Sequence, residues 1–371
     1  MNPIPVIIML PPRGGSTVAE SWMAHARYAA ALDLIDRLNC VPEVAAIQVL
    51  AADPVDRDAL RSASVELVEP SGDPFHFGHV LASFGQQQRG LAYFGGASAP
   101  LLTATALKQL FQQMQDWQGK RALVNNRHSS DWLLISTAGM LESLAPHLPN
   151  DNALGWVLET QAGFYVETTA STAAMRCDID TPADVCLAGS HPDAGPHLKR
   201  FLQQNPVTLL DRLADLRSVL QTPASSVALI GRTSSEAWSA LVGATRIWVR
   251  VYAEERGMTA SGRQERGEAR SLLASAMEAM GEDAFMVMLA GMLDGVLWDT
   301  RVWMAHHHIW PSDADRFAAD LGMIDQIQNR ALRQLTAAQS DAGIPMIVGG
   351  HGVVGGSLLA LVETISYQPS R

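Results

Sequence analysis

The chain has few cysteines: Cys40, Cys177 and Cys186 are the only three in 371 residues. Their spacing matches no metal-binding pair. This excludes a disulfide framework or a cysteine-built zinc module and leads us to expect a reducing, cytoplasmic setting. Basic residues are also outnumbered, with 27 Lys and Arg against 38 Asp and Glu, for a formal net charge of −11. That balance argues against nucleic acid as the main partner, while leaving room for an acidic small ligand in a locally basic pocket. Long apolar runs are missing too. The most apolar stretch, residues 284–298, is interrupted by Asp294 and is too short to span a bilayer comfortably, so no membrane partner is expected. The opening residues MNPIPVIIMLPPRGG carry no basic leader and do not read as a signal peptide. There is no internal repeat.

What is present is an alternation of short apolar runs with helical patterns. Residues 5–10, 45–50, 65–68, 91–95, 122–124 and 132–135 read as strands. Helices are expected at 17–38, up to about 88, up to about 117, and at 152–162. This rhythm predicts an α/β fold with a doubly wound, mostly parallel sheet. In such sheets ligands collect beyond the carboxyl ends of the strands. Three loops there are candidates. Arg13, Gly14, Gly15 and Ser16 follow the first strand and can cradle phosphate through backbone N–H groups and one guanidinium, or form an ordinary connecting turn. Ser98 lies in the turn after 91–95. Asn125 and Arg127 lie in a polar loop that suits a base or a sugar. His76 and His79, three apart, read as packing or capping residues, because no third metal ligand accompanies them.

The strongest chemical signal closes this half. In Cys177-Asp178-Ile179-Asp180-Thr181-Pro182-Ala183-Asp184-Val185, two acids flank one apolar residue, so in extended chain Asp178 and Asp180 point the same way. Thr181, Pro182 and Asp184 suit a helix cap and its positive end. Carboxylates at a strand-to-helix junction can hold Mg²⁺ against a nucleotide phosphate.

The segments IIMLPPRGGS, YFGGASAPLLT, VNNRHSSDWLLI and CDIDTPADV, in that order, resemble the nucleotidyltransferase-like glycosyltransferase-A fold. They are most similar to the molybdenum-cofactor guanylyltransferase and phospholactate guanylyltransferase groups. The resemblance covers residues 1–190. It implies a nucleotide-diphospho-sugar transferase-like domain in which the first loop holds the nucleotide phosphates. A Mg²⁺ ion would be held by Asp180 or Asp178, which would then be the catalytic pair. The family's other metal-binding aspartate would fall at Ser98, where this chain carries a hydroxyl. Two functions follow: a Mg²⁺-dependent nucleotidyltransferase acting on a phosphorylated or acidic small molecule, or a binding or scaffold protein that kept the fold.

Residues 189–195 read as a linker to a second domain, 195–371, expected to be mainly α-helical and to provide an acceptor site or a surface for homo-oligomerisation. One helix is expected from Ser234 through Val251, one over 285–305 and one over 323–338. Arg256 and Arg263 belong to a concentration of arginines between 246 and 270 that suits a phosphate or carboxylate, or pairs with Glu254, Glu255, Glu265 and Glu268. His306, His307 and His308 read as a helix end. His351 sits in the glycine-rich stretch 349–357, the other ligand candidate of this half, which lacks the Gly-Lys-Ser/Thr ending of a P-loop.

Overall fold

The computed structural model describes residues 3–15, 17–61, 63–69, 75–86 and 88–365. Seven strands form the first sheet: β1 (Ile4–Leu10), β2 (Val44–Ala51), β3 (Glu66–Val68), β4 (Leu91–Gly95), β5 (Arg121–Val124), β6 (Trp132–Ile135) and β7 (Tyr165–Thr168). Their order is β3-β2-β1-β4-β6-β5-β7. All run parallel except β6, which is antiparallel to both β4 and β5. The expected α/β class with a mostly parallel sheet is therefore present. β1 and β4 are buried on both faces, which is why they read as unbroken apolar runs. The reversal of β6 matters for the site, because its first residue lies at the edge where the other strands end.

The second half is rich in helices, as expected, and is built around a second sheet that the sequence pattern hid. This sheet comprises β8 (Ser226–Gly231), β9 (Trp248–Ala253), β10 (Gly295–Asp299) and β11 (Met346–Gly349), all parallel, in the order β11-β10-β8-β9. The helix expected from Ser234 through Val251 is instead Ser235–Ala244 followed by β9. The single helix expected over 285–305 is Glu282–Ala290, then β10, then Arg301–His306. Residues 323–338 split into a 3-10 turn, Ile324–Gln326, and the helix Arg330–Asp341. β10 is buried throughout, and a fully buried strand has no alternation to distinguish it from a buried helix.

The two halves share a core, which the first half enters chiefly through its first helix and the 173–188 segment. Trp22 and Met23 of the helix Val18–Asn39 lie in one apolar cluster with Ile179, Leu187, Leu229, Trp298 and Leu358. The helix Pro182–Gly189, capped by Thr181 and Asp184, is buried at every residue. Residues 189–195 run directly into the helix Pro196–Gln204, whose first turn is held by Asp33: its carboxylate accepts from the His197 and Leu198 N–H groups, both at 2.9 Å.

The glycine-rich stretch has a packing reason. A Cβ on Gly352 would overlap the Asp184 carboxylate, and one on Gly356 would overlap the Arg176 carbonyl oxygen. Only glycine lets β11 and the helix Gly356–Glu363 approach the 176–184 segment this closely. Ser357 closes the contact, its Oγ donating to Asp184 Oδ1 at 2.7 Å. We expect Gly356→Ala to cost about 1–3 kcal/mol or more, since the overlap is with backbone that cannot rotate away. Urea denaturation of the full chain would show this as a lowered midpoint at unchanged slope. An unchanged midpoint would mean that the halves are not packed this way.

Candidate ligand site between the two sheets

Five carboxylates meet at the carboxyl edge of the first sheet. Asp131 immediately precedes the reversed strand β6, and its carbonyl accepts from the Gly95 N–H at 2.9 Å. Asn125 fixes it, accepting from the Asp131 N–H at 2.9 Å and donating through Nδ2 to the Asp131 carboxylate. Asp178 reaches the same edge through an isolated antiparallel bridge to Ser98. Asp151 accepts from the Tyr93 hydroxyl at 2.9 Å. Asp184 accepts from Thr181 N, Thr181 Oγ1 and Ser357 Oγ at 2.7–2.8 Å. Asp180 is the exposed end of the group.

The charges of these acids are poorly compensated. Burial, then the charges of Asp180 and Asp151, push Asp131 up to about 8. Asp178 is raised well above the usual carboxylate range, first by burial and then by Asp180, Asp131 and Asp184. Burial and Asp180 bring Asp184 to about 7 against the pull of its hydrogen bonds to Ser357 and Thr181. Asp151 is raised chiefly by burial. Buried like charges with spare oxygen donors suit a hard divalent cation. Among the described residues, these carboxylates do not bring three donor atoms within 4.8 Å of one another. A Mg²⁺ ion here would therefore be held by one or two of these carboxylates and would need phosphate oxygens and water to complete its shell.

The sequence candidates fall into two sets. Asp178, Asp180, Ser98 and Asn125 converge here, with Ser98 buried and its Oγ donating to the Gly95 carbonyl at 2.8 Å. The first loop is occupied by its own side chains. Arg13 donates to Asp56 at 2.6 and 2.9 Å, with Asp53 at 3.9 Å. Glu20, the partner of Thr17 in a capping box, accepts from the N–H groups of Gly15 at 3.1 Å and Thr17 at 3.3 Å. A carboxylate thus holds amides that a phosphate cradle would offer. Gly14 takes a positive φ of 81° in this loop, and Ser16 lies outside the described residues.

Facing the acids is the carboxyl edge of the second sheet. Its strand order switches between β8 and β10, and Arg232, just after β8, forms an ion pair with Asp299, the buried last residue of β10. Arg232 donates to Asp299 through Nε at 2.6 Å and through its terminal nitrogen at 3.1 Å. Burial would raise Asp299, but Arg232, with smaller help from His351 and Arg301, holds it below its ordinary value. His351, two residues past β11, is exposed at its surface, and its pKa is lowered by partial desolvation and by Arg232 and Arg256, against the opposite pull of Asp180 and Asp299.

A groove of about 360 Å³ runs between the halves, lined by Arg127, His128, Arg176, Glu236 and Arg256, with Asn126 and Thr168 beneath. Arg127 also pairs with Glu159 at 3.1 Å and donates to the Val166 carbonyl at 3.2 Å. Arg263 lies apart from this groove, bound to Glu255 at 3.0 Å, and Arg266 pairs with Glu268 at 2.8 Å.

His76 precedes the helix Phe77–Gly85 and packs its ring against His79, without making a side-chain cap hydrogen bond. The helix Arg301–His306 ends at the histidine run, as expected. Glu278, His306 and His307 bring three donor atoms within 4.8 Å of one another. His306 Nδ1 accepts from the Ser271 N–H at 3.0 Å, which assigns the ring proton of the neutral form to Nε2, the nitrogen 3.6 Å from Glu278. A protonated nitrogen donates and does not ligate, so the trio is not set for a metal.

Sequence reasoning missed Asp131, Arg176, Glu236 and the Arg232–Asp299 pair. The signal for Asp131 was its place just before a strand, but only knowing that β6 is reversed puts that position at the carboxyl edge. Arg232 and Asp299 were hidden with the second sheet itself.

No family model and no curated protein matches the sequence. Among solved structures, the chain is similar to a CMP:2-keto-3-deoxy-manno-octonic acid synthetase complexed with CTP, at 14% identity and TM-score 0.34, covering 48% of this chain and 94% of that one. It is also similar to a cytidylyltransferase from Leptospira borgpetersenii, at 16% identity and TM-score 0.36, covering 56% of this chain and 96% of that one. A third is 4-diphosphocytidyl-2C-methyl-D-erythritol synthase from Anaerococcus prevotii, at 11% identity and TM-score 0.35, covering 50% and 94%. Among the described residues, no helix is long and apolar enough to cross a membrane.

Proposed function

We propose that the chain binds a nucleoside triphosphate at the carboxyl edge of the first sheet and transfers its nucleotidyl group to an anionic small molecule. The observation that carries this reading is the set of poorly compensated acids at that edge, Asp131 and Asp178 half-buried and Asp180 exposed, opening toward a groove lined by arginines. Asp180, with Asp131 or Asp178, would hold Mg²⁺, which when bound offsets phosphate charge and polarises the phosphoryl group. Asp131 would serve in the role that the resemblance assigns to an acid at Ser98, and Asn125 holds its orientation. Arg127 and Asn126 stand where a base or an acceptor could be contacted.

One observation favours binding without turnover. The N–H groups of Gly15 and Thr17 are held by Glu20, and Arg13 is held by Asp56, so the first loop must rearrange before it can grip a triphosphate. Calorimetry with CTP, GTP and ATP, with and without Mg²⁺, followed by a pyrophosphate-release assay across phosphorylated and carboxylated acceptors, separates the two readings. Metal-dependent binding with pyrophosphate release is expected. Metal-independent binding without release would overturn transfer, and no binding of any triphosphate would overturn both.

A further inference from the structure

We propose that the groove between the two halves is an oxyanion site for the phosphate group of the second substrate, gripped by Arg176 from the first half and Arg256 from the second. The inference rests on the nucleotidyl-transfer reading and names the acceptor class: a small phosphorylated molecule.

Three observations carry it. First, Arg256 has no ion-pair or hydrogen-bond partner among the described residues, although Arg263 and Arg266 beside it in the same loop are bound to Glu255 and Glu268. Its guanidinium is exposed on the groove wall, and its charge reaches His351. Second, Arg176 spends one terminal nitrogen on a long 3.4 Å contact with the Thr169 carbonyl, while its Nε is buried without a partner. A buried guanidinium nitrogen left open is costly unless a ligand satisfies it. Third, the lining is lopsided: Arg176, Arg256 and His128, together with Arg127, which Glu159 already pairs, stand against Glu236 as the one acid among the described lining residues, in a chain whose net charge is −11.

Guanidinium groups approaching from opposite walls match the several oxygens of a phosphate better than a single carboxylate. Glu236 is then placed to accept from a hydroxyl of the same molecule. The groove adjoins the acids of the first sheet, since the charge of Arg176 acts on Asp131. A phosphate bound there would lie next to the nucleotide without competing for its metal. The two arginines come from different halves, so the site exists only in the intact chain.

The test uses the full chain and inorganic phosphate, with glycerol 3-phosphate as a phosphomonoester and citrate as the carboxylate control, titrated without metal and followed by ³¹P NMR for the phosphates and calorimetry for all three. Wild type should bind both phosphates saturably and citrate more weakly. Arg256→Ala, at an exposed position, should weaken phosphate binding about tenfold or more, as expected for losing a charge-assisted contact. Asp180→Ala should keep phosphate binding or tighten it while losing Mg²⁺-dependent nucleotide binding. The proposal is overturned by absence of saturable phosphate binding, by unchanged affinity in Arg256→Ala, or by preference for citrate. It is also overturned if Arg256→Ala weakens Mg²⁺–nucleotide binding as much as phosphate binding, because the groove would then belong to the nucleotide. If Asp180→Ala leaves Mg²⁺–nucleotide binding intact while Arg256→Ala abolishes phosphate binding, the nucleotide reading fails and the oxyanion site stands.

Discussion

Replacing Asp180 by alanine is expected to weaken binding of a nucleotide–Mg²⁺ complex by about 100-fold or more, beyond the ~10–100-fold that loss of a supporting outer-shell group gives. Its carboxylate is the exposed one of the group, and the half-buried Asp131 and Asp178 lie close enough to feel its charge. The same change should make the metal-free protein more stable, because Asp180 contributes to raising Asp131, Asp178 and Asp184. The pH dependence follows with a definite sign. A carboxyl whose folded-state pKa is raised binds its proton more tightly in the native chain. The stability it contributes is present below the unfolded value near 3.9 and is lost as pH rises toward the folded value. With Asp184 near 7 and Asp131 near 8, the metal-free melting temperature should fall between about pH 5 and pH 8. Asp131→Asn should flatten that slope. Thermal melts across this range check it, and a melting temperature that rises toward pH 8 would contradict the acid cluster.

Arg301→Ala is expected to destabilise the fold by about 3–5 kcal/mol, the cost of leaving a buried partner charge unpaired. Arg301 opens the helix after β10 and makes two bonds to Asp320, at 2.7 and 3.0 Å, with both side chains almost wholly buried. It ties β10 to the helix Asp313–Leu321, which also meets the first half where Arg27 lies 5.6 Å over the Phe317 ring. Losing the pair should therefore loosen the wall that carries Arg232 and Asp299, and should appear as a lowered urea midpoint. Replacing both partners with apolar residues of similar volume should recover much of the loss, because the deficit comes from the stranded charge.

The first half was legible because its signals are local. β1 and β4 are unbroken apolar runs, Thr17, Thr103 and Thr181 are caps, and the Asp178–Asp184 turn is dense in helix-start chemistry. The second half was legible only in part. β10 has the composition of a buried helix, and Trp248 with Val251 can be placed on a helical face as readily as on β9. The arginine concentration also divided in a way spacing could not show. Arg263 pairs within its own loop, and Arg256 lines the groove between the halves. The Gly349–Ser357 stretch was noticed for the right residues, yet its glycines are required by contact with Thr181, Asp184 and Arg176, all on the other sheet's side. Long-range approach of this kind leaves no period in the chain.

The most direct test of the account is a crystal structure of the full chain grown with a non-hydrolysable nucleoside triphosphate and Mn²⁺, read by manganese anomalous scattering. The account predicts a peak bounded by Asp180 and either Asp131 or Asp178, with the nucleotide at the carboxyl edge of the first sheet. A peak at Glu278, His306 and His307 with none at these acids, or a nucleotide bound away from the crevice between the sheets, would contradict it.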